Sequence, residues 1–290
     1  MNSSRYPGCG VAALFFCLLL VIVAHGCSGP PPPVPPAKER AMSWNKRGLQ
    51  AVQRGDNDGA ILAFEESLRV NRSIEDFDGI AVSLINLARV RRQKGELAVA
   101  KERIEEALRI VSPGNPVFPE MSFEKAKVEL ALGNLPDAKE WAQKAVPAES
   151  RSYSGRMQNL LSQIFLLEGK PGEALALAEA ALESNRIFGN RAEEANSLRL
   201  IGDIALAEGD PQGAETRYLS ALEINKELAE SGKIATDLRS LGAAAFARGE
   251  TARAVGFYER AVAVSQGANM SAEAEAALSE LNRIKETLSH

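Results

Sequence analysis

Apolar residues recur at helical spacing along most of the chain. Past Arg40 the sequence is dominated by alanine, leucine, glutamate and arginine, and few stretches alternate strictly between apolar and polar residues. Near the C-terminus, Ala274, Ala277, Leu281 and Ile284 form one apolar stripe, with charged residues between them. This pattern predicts a series of amphipathic helices rather than strands.

A glycine pattern that occurs six times predicts that these helices come in pairs. Glycines spaced by 40, 38, 36, 40 and 40 residues are each followed five positions later by alanine, and seven positions after that by another small residue. The glycine and alanine pairs are Gly55/Ala60, Gly95/Ala100, Gly133/Ala138, Gly169/Ala174, Gly209/Ala214 and Gly249/Ala254. Such a period indicates an internal structural repeat.

The residue types at these positions explain how the two helices of each repeat turn and pack. Glycine permits the tight turn that joins two antiparallel helices. The alanine and the second small residue lie about two helical turns apart, on one face of the second helix. Small side chains there allow the first helix to approach closely. We therefore expect six helix–turn–helix units that pack through these alanines.

The repeat resembles the tetratricopeptide repeat, which carries Trp-x2-Leu-Gly-x2-Tyr and then Ala-x3-Phe-x2-Ala. Matching residues are Trp44, Gly48, Ala60, Phe64 and Ser67 in the first unit and Leu238, Gly242, Ala254, Tyr258 and Ala261 in the sixth. The third and fourth units depart from the pattern, with alanine at 142 and 178 in place of the large residue. The resemblance implies an all-α, right-handed superhelical solenoid of six repeats over residues 41–268, closed by a C-terminal capping helix over 269–290.

The N-terminus has the features of an export signal. Residues 11–24 are almost entirely apolar and follow a single charged residue, Arg5. As a helix this run would extend about 21 Å, short of the roughly 30 Å hydrocarbon core of a bilayer. It ends in Ala24-His25-Gly26-Cys27, which resembles the bacterial lipoprotein box. We expect a signal peptide over 1–26 and lipidation of Cys27; a secreted protein with a free cysteine and an uncleaved anchor helix remain alternatives.

A proline-rich linker over residues 27–40 is predicted to separate the anchor from the repeats. Its prolines favour an extended polyproline conformation over a helix. The lipoprotein resemblance implies a cell-envelope protein held to the membrane by its lipid. In a bacterium with two membranes, Ser28 after the cysteine implies the outer membrane, with the solenoid facing the periplasm.

Composition argues against most catalytic chemistry. The 290 residues are 45% hydrophobic and 25% charged, with a net charge of -4, three cysteines and two histidines. His25 and the cysteines lie in the N-terminal 27 residues, and His290 is the last residue. A Ser/His/Asp triad, a Cys/His dyad or a zinc site is therefore close to excluded. We expect a non-enzymatic protein without metal, cofactor or small-molecule substrate, and the acidic balance argues against nucleic acid.

The tetratricopeptide resemblance also implies where a partner binds, since the first helices of this family line a concave groove. Mapping the family's groove positions onto this chain selects Asn45, Arg89, Arg92, Lys127, Arg156, Asn159, Arg199, Asp203 and Arg239. Asparagine can bond both backbone groups of a peptide, and arginine can grip a carboxylate with two bonds. The expected partner is a protein or peptide with acidic segments. The alternative is that these residues form solvated helix faces or ion pairs within a repeat.

The leading hypothesis is a membrane-tethered scaffold that binds a partner in this groove and supports assembly of an envelope complex. By resemblance to repeat-bearing lipoproteins, that role is pilotin-like, in outer-membrane assembly or in recruiting a cell-wall enzyme. Two alternatives remain open: a carboxylate-based hydrolase of envelope polymers, and a structural lipoprotein that associates with itself.

Overall fold

The computed structural model describes residues 33–145 and 151–288. Residue contacts divide the chain into two units, and the second, Ala37–His290, contains nearly all of the described residues. The predicted signal peptide, Cys27 and the first part of the linker lie outside the described residues.

Thirteen helices make up the described part of the chain, which contains no strand. Twelve of them form six pairs, called repeats 1 to 6: α1 (Pro36–Gln53) with α2 (Asn57–Ser73), α3 (Phe77–Gln93) with α4 (Leu97–Leu108), α5 (Phe118–Ala131) with α6 (Leu135–Lys144), α7 (Arg151–Leu167) with α8 (Pro171–Ile187), α9 (Arg191–Ala207) with α10 (Pro211–Glu227), and α11 (Ser231–Ala247) with α12 (Thr251–Gly267). A last helix, α13 (Ser271–Leu288), packs on repeat 6. The all-α solenoid with a terminal helix predicted from the repeat is therefore confirmed.

The first helix begins earlier than the predicted boundary between linker and repeats. We expected the linker to continue to residue 40, but α1 starts at Pro36. Proline suits the first helical position, because its fixed φ is helical and the N–H it lacks has no partner there in any case. The last proline of the linker therefore starts the solenoid.

The turn inside each repeat lies at the repeated glycine. Gly55, Gly95, Gly133, Gly169, Gly209 and Gly249 have φ between 74° and 84°, the left-handed region. Residues with a Cβ are strained in this region. Glycine at these positions therefore lets the backbone reverse direction between the two helices of a repeat without steric strain.

The alanines five residues after these glycines are fully buried. Ala60, Ala100, Ala138, Ala174, Ala214 and Ala254 each have 0% of their surface exposed. They lie on the second helices, where the two helices of a repeat meet. The small residues seven positions further are buried as well, so one face of every second helix is closed against its neighbours.

The contacts between repeats show which helices line the inner side of the curve. From α3 onwards, each first helix contacts the next one, up to the contact of α11 with α13. Within the described residues, the backbones of successive second helices stay further apart, and side-chain ion pairs such as Arg72 with Glu106 and Arg253 with Glu215 bridge them. Elements lie closest together on the inside of a bend, so the first helices line the concave side of the superhelix. We call this side the groove.

Candidate functional site

All nine residues mapped to the groove lie on first helices. Asn45 is on α1, Arg89 and Arg92 on α3, Lys127 on α5, Arg156 and Asn159 on α7, Arg199 and Asp203 on α9, and Arg239 on α11. Their side chains do not form a free row of donors, because most of them bond to the neighbouring first helix. These bonds define the chemistry of the groove.

Arg89 and Arg92 bind carboxylates of α5. Arg89 Nε donates to Glu124 Oε2 at 3.3 Å, and its Nη2 donates to Glu120. Arg92 Nε donates to Glu124 Oε1 at 2.7 Å. The Glu124 side chain is fully buried, so two guanidinium groups rather than water compensate its charge. These two arginines join repeat 2 to repeat 3.

Arg156 approaches α5 from the opposite side. Its Nη1 donates to Glu120 Oε2 at 2.7 Å, and its guanidinium lies 3.6 Å from the centroid of the Phe123 ring. Its Nε lies 4.0 Å from Glu193 Oε1 on α9. Burial alone would raise the pKa of Glu120, but Arg156 and Arg89 outweigh burial and hold that pKa below its ordinary value. Repeats 2, 3 and 4 thus share one carboxylate.

Arg199 and Arg239 continue the same arrangement in repeats 5 and 6. Arg239 makes two bonds to Glu280 of α13, at 2.7 Å from Nη2 and 3.2 Å from Nε. Arg199 Nη1 lies 3.6 Å from Asp237 Oδ1 of α11, and its Nη2 donates to Asn196 at 3.2 Å. We call the whole set of these bonds between first helices the ladder.

The two groove asparagines also bond between repeats. Asn86 Nδ2 donates to Asn45 Oδ1 at 2.9 Å, which connects α3 to α1. Asn159 accepts a bond from Ser197 Oγ at 2.8 Å and donates to the backbone carbonyl of Glu193 at 3.2 Å. These amides therefore hold neighbouring repeats together rather than offering all their groups to a ligand.

Asp203 is bonded within its own repeat. Its Oδ1 accepts a hydrogen bond from the Tyr218 hydroxyl of α10 at 2.8 Å. Burial raises the pKa of Asp203, and burial together with the Asp203 carboxylate raises the pKa of Tyr218. The pair fixes the tyrosine ring in the core of repeat 5.

Two groove lysines form no direct ion pair within the described residues. Lys127 Nζ lies 5.5 Å from the centroid of the Phe123 ring, on the inner face of α5. Lys233 of α11 donates to the amide oxygen of Asn196 at 3.0 Å. Burial lowers the pKa of Lys233 to about 8, and the positive charge of Arg199 adds to this effect, whereas the carboxylates of Glu193, Asp237 and Glu230 oppose it.

Lys127 experiences positive charge from three other helices. Burial lowers its pKa to about 7; Arg92 of α3, Lys233 of α11 and Arg156 of α7 lower it further, whereas Glu124 opposes them. The influence of Lys233 is informative, since α5 and α11 are three repeats apart.

The groove residues predicted from the sequence include all five arginines of the ladder but none of the carboxylates that bind them. The carboxylates Glu120, Glu124, Asp237 and Glu280 were absent from the predicted site, as was Lys233. The distance along the chain could have revealed the pairs: it is 31 residues for Arg89 and Glu120, and 41 for Arg239 and Glu280. A carboxylate about one repeat away from each groove cation is the missing signal.

The described residues contain no group of three histidine, cysteine or carboxylate side chains arranged to hold a metal ion. None of their helices combines the length and apolar character needed to cross a bilayer.

Comparison with known proteins places the repeats in a family. Tetratricopeptide repeat profiles match residues 85–154, 153–227 and 193–267. Protein FlbA of Caulobacter vibrioides is 37% identical over 98 residues, a stretch that is 33% of this chain and 15% of FlbA. The chain thus spans only a small part of that relative's length.

Two solved structures show the fold at low sequence identity. The Rap protein complexed with Competence and Sporulation Factor has a TM-score of 0.63 at 18% identity, covering 88% of this chain and 73% of that one. PilF of Pseudomonas aeruginosa has a TM-score of 0.51 at 17% identity, covering 84% and 99%. Such solenoids serve as scaffolds for binding proteins through extended concave surfaces. Family profiles match residues 85 to 267, and the six helix pairs carry glycine and alanine at the positions typical of the repeat. The chain therefore belongs to the tetratricopeptide repeat family.

Proposed function

We propose that this protein is a membrane-tethered scaffold that binds a protein partner along its groove and supports assembly of a complex in the cell envelope. The observation that carries the proposal is the ladder. Its side chains are fixed by bonds between repeats, so the polar groups of the groove are held in place before any partner arrives. A surface organised in advance loses little side-chain entropy on binding.

The solved relatives support binding but do not identify the partner. The Rap solenoid is complexed with Competence and Sporulation Factor, so a solenoid of this fold can hold a second molecule. In this chain, Lys127 lies over the Phe123 ring on a first helix and forms no ion pair among the described residues. An acidic protein segment is the matching partner chemistry.

Photo-crosslinking in the native cells tests the groove. Gln163 is exposed on α7 and, at seven positions from Arg156 and four from Asn159, shares their face. Glu179 is exposed on α8, a second helix, and serves as the matched control. A photoreactive residue at 163 should crosslink to a specific envelope protein, and the same residue at 179 should not. Equal labelling from both positions, or none from 163, would contradict groove binding.

Tethering rests on the N-terminal sequence and has its own test. Cys27→Ala should move the protein from the membrane fraction to the soluble fraction, because the acceptor of the lipid is gone. Ser28→Ala, the neighbouring control, should leave it in the membrane fraction. Retention of the Cys27 variant in the membrane would reject lipidation in favour of an uncleaved anchor helix.

A further inference from the structure

The first and last repeats of the described solenoid touch each other. A Cβ added to Gly55, in the turn of repeat 1, would lie 2.9 Å from the carbonyl oxygen of Ala268 and 3.6 Å from Met270 Cγ. Both of these residues belong to the turn between α12 and α13. Among the described residues, no atom beyond the chain neighbours lies within 4 Å of a Cβ added to the other turn glycines, Gly95, Gly133, Gly169, Gly209 and Gly249. The turn of repeat 1 is therefore packed where the equivalent turns are open.

The side chain of Met270 lies between two glycines. Its Cγ faces Gly55, and its Cε lies 2.8 Å from a Cβ added to Gly232, the second residue of α11. A methionine side chain is flexible and fits irregular gaps of this kind. The contact therefore joins repeat 1 both to repeat 6 and to the start of α13.

The turn before α13 differs from the equivalent turns earlier in the chain. In repeats 1, 4 and 5 the residue directly after the second helix is large and apolar, namely Ile74, Phe188 and Leu228. In repeat 6 it is Ala268. A small residue at this position suits a turn that another repeat approaches as closely as Gly55 does.

The residue that precedes the next helix differs as well. The N-cap residues of α3, α9 and α11 are polar: Asp76, Asn190 and Glu230. Asp76, for example, accepts a bond from the backbone N–H of Gly79 at 3.2 Å. Met270 holds the same position before α13 and cannot make such a bond. The start of a helix favours a polar residue here, so the contact with Gly55 gives the apolar residue its physical reason.

We propose that Gly55, Ala268 and Met270 form a clasp that holds repeat 1 on repeat 6, and that this clasp opens when a segment of a folded partner enters the groove. The clasp itself is independent of the proposed function, whereas its opening on binding rests on that function. While the clasp is shut, the curve is closed between its ends. A segment that lies between folded domains then cannot pass into the groove from the side.

Two observations agree with a clasp that is shut at rest and able to open. Burial lowers the pKa of both Lys127 and Lys233, on helices three repeats apart, as expected in a groove that little water reaches. Among the described residues, no hydrogen bond or ion pair joins the turn of repeat 1 to the turn before α13. Opening therefore breaks apolar contacts alone and leaves no buried charge without its partner.

Asparagine substitutions test the clasp against a matched control. Gly55→Asn places a side chain against the Ala268 carbonyl, whereas Gly95→Asn makes the same change in an equivalent turn where the Cβ meets nothing. Asparagine tolerates the left-handed region better than most residues, so both turns should still form. Met270→Asn removes the methionine and supplies a residue that is favoured as an N-cap, so α13 should not be weakened.

The separation of the two turns can be measured by double electron–electron resonance in the full chain. Nitroxide labels are placed on non-canonical residues at Gln53 and Gln266, which are exposed near the two turns. The wild type and Gly95→Asn should give one narrow distance distribution. Gly55→Asn and Met270→Asn should each shift it to longer distances. A broad distribution in the wild type, equal shifts in the two glycine variants, or no shift in Gly55→Asn or in Met270→Asn would overturn the clasp.

Photo-crosslinking through position 163 tests whether the clasp opens on binding. A protein that must open before it binds has its apparent affinity reduced in proportion to the open fraction. Gly55→Asn and Met270→Asn should therefore raise the yield of crosslinked partner, and Gly95→Asn should leave it unchanged. An unchanged or lower yield in the two clasp variants would overturn opening on binding. If no variant crosslinks while the distances respond as expected, the proposed function fails, opening on binding fails with it, and the clasp stands.

Discussion

At the scale of single residues, a first-helix residue and the second-helix residue sixteen positions later have complementary sizes, so that a small one accommodates a large one. A Cβ added to Gly202 would lie 2.5 Å from Tyr218 Cε1, and one added to Gly242 would lie 2.7 Å from Tyr258 Cε2. Gly48 faces Phe64 in the same way. In the other repeats the first-helix residue is larger than glycine, and its second-helix partner is smaller than phenylalanine or tyrosine. These pairs are Ala88 with Ile104, Ala126 with Ala142, and Ser162 with Ala178. The departures from the family pattern in repeats 3 and 4 are therefore paired changes of volume.

This pairing predicts that Gly242→Ala is destabilising although alanine favours helices. The added methyl group would collide with Tyr258, and such overpacking lowers the free energy of unfolding by about 1–3 kcal/mol. Urea denaturation of the variant and the wild type measures this loss. In a Tyr258→Ala background the same change should cost almost nothing, because the ring is gone and the pair then matches that of repeat 3.

The control for Gly242→Ala is Gly256→Ala on α12. A Cβ added to Gly256 meets no atom within 4 Å, so this variant should gain about 0.5–1 kcal/mol from helix propensity. Equal effects of the two glycine substitutions would contradict the steric account.

The lowered pKa of Lys127 predicts a dependence of stability on pH. In the unfolded chain this lysine titrates near 10.5, but in the fold burial, Arg92, Lys233 and Arg156 lower its pKa to about 7, against Glu124. The fold therefore carries the full unfavourable contribution below pH 7 and loses it as the pH rises from 7 to 10.5. Lys127→Gln should stabilise the protein at pH 6 and progressively less towards pH 10.

Urea titrations of the wild type and the Lys127→Gln variant at pH 6, 8 and 10 measure this difference. Lys226→Gln should show no comparable trend, because Lys226 lies on the outer surface. A constant difference between Lys127→Gln and the wild type across this range would show that Lys127 titrates as an ordinary exposed lysine.

At the scale of helices, a second set of bonds joins the repeats behind the groove. A buried asparagine on a second helix donates to the residue twelve positions later on the next first helix. These bonds are Asn71 to Ser83 at 3.3 Å, Asn185 to Ser197 at 3.1 Å, and Asn225 to Asp237 at 2.6 Å. At two other junctions only one of the two positions is polar. Ser122 takes the first-helix position with Ile110 twelve residues before it, and Ser265 takes the second-helix position with Ala277 twelve residues after it. The hydroxyls of both serines have no hydrogen-bond partner among the described residues.

Removing one of these asparagines should be costly. Asn225→Ala deprives the buried Asp237 of its closest donor, and a buried polar group left unsatisfied costs about 1–3 kcal/mol, more when it is charged. Ser265→Ala, forty positions later, removes a hydroxyl that bonds to nothing in the described fold and should be neutral or slightly stabilising. Thermal unfolding of both variants decides the matter; equal losses would mean that the asparagine bond contributes nothing specific.

The sequence predicts the pairing of helices better than it predicts the ladder. Turn glycines and packing alanines are visible because one residue type is required at one position, as at Gly209 and Ala214. A ladder bond requires two side chains on different repeats to face each other, so Arg156 and Glu120 become partners only once the superhelix fixes their relative positions. The linker boundary was misplaced for a local reason, since Pro36 is compatible with both an extended segment and a helix start.

At the scale of the whole molecule, stability is distributed unevenly along the solenoid. In such folds each repeat contacts only its neighbours, so local differences in packing persist. The second helix of repeat 3, α6, spans 10 residues and buries Ala138 and Ala142 within its length. By contrast, α10 of repeat 5 spans 17 residues and buries Tyr218, Leu222 and Ile224 as well as alanines. Less apolar surface therefore holds α6 in place.

Hydrogen exchange should reveal this difference. Backbone amides of α6 are expected to exchange earlier than those of α10, through an opening that leaves the rest of the chain folded. The amides of α5 should remain protected for longer than those of α6, because Arg89, Arg92 and Arg156 hold that helix from both sides. Uniform exchange across all second helices would contradict this ordering.

Neighbouring repeats are joined differently on the two sides of the curve. The inner bonds include those to the fully buried Glu124, whereas the outer ion pairs, Arg72 with Glu106 and Arg253 with Glu215, involve half-exposed arginines. Exposed ion pairs stabilise a fold by at most about 1 kcal/mol, and breaking a buried pair costs several times more. A change of curvature that separates the outer helices therefore costs less than one that breaks the inner bonds, so the solenoid is expected to bend by opening its outer side.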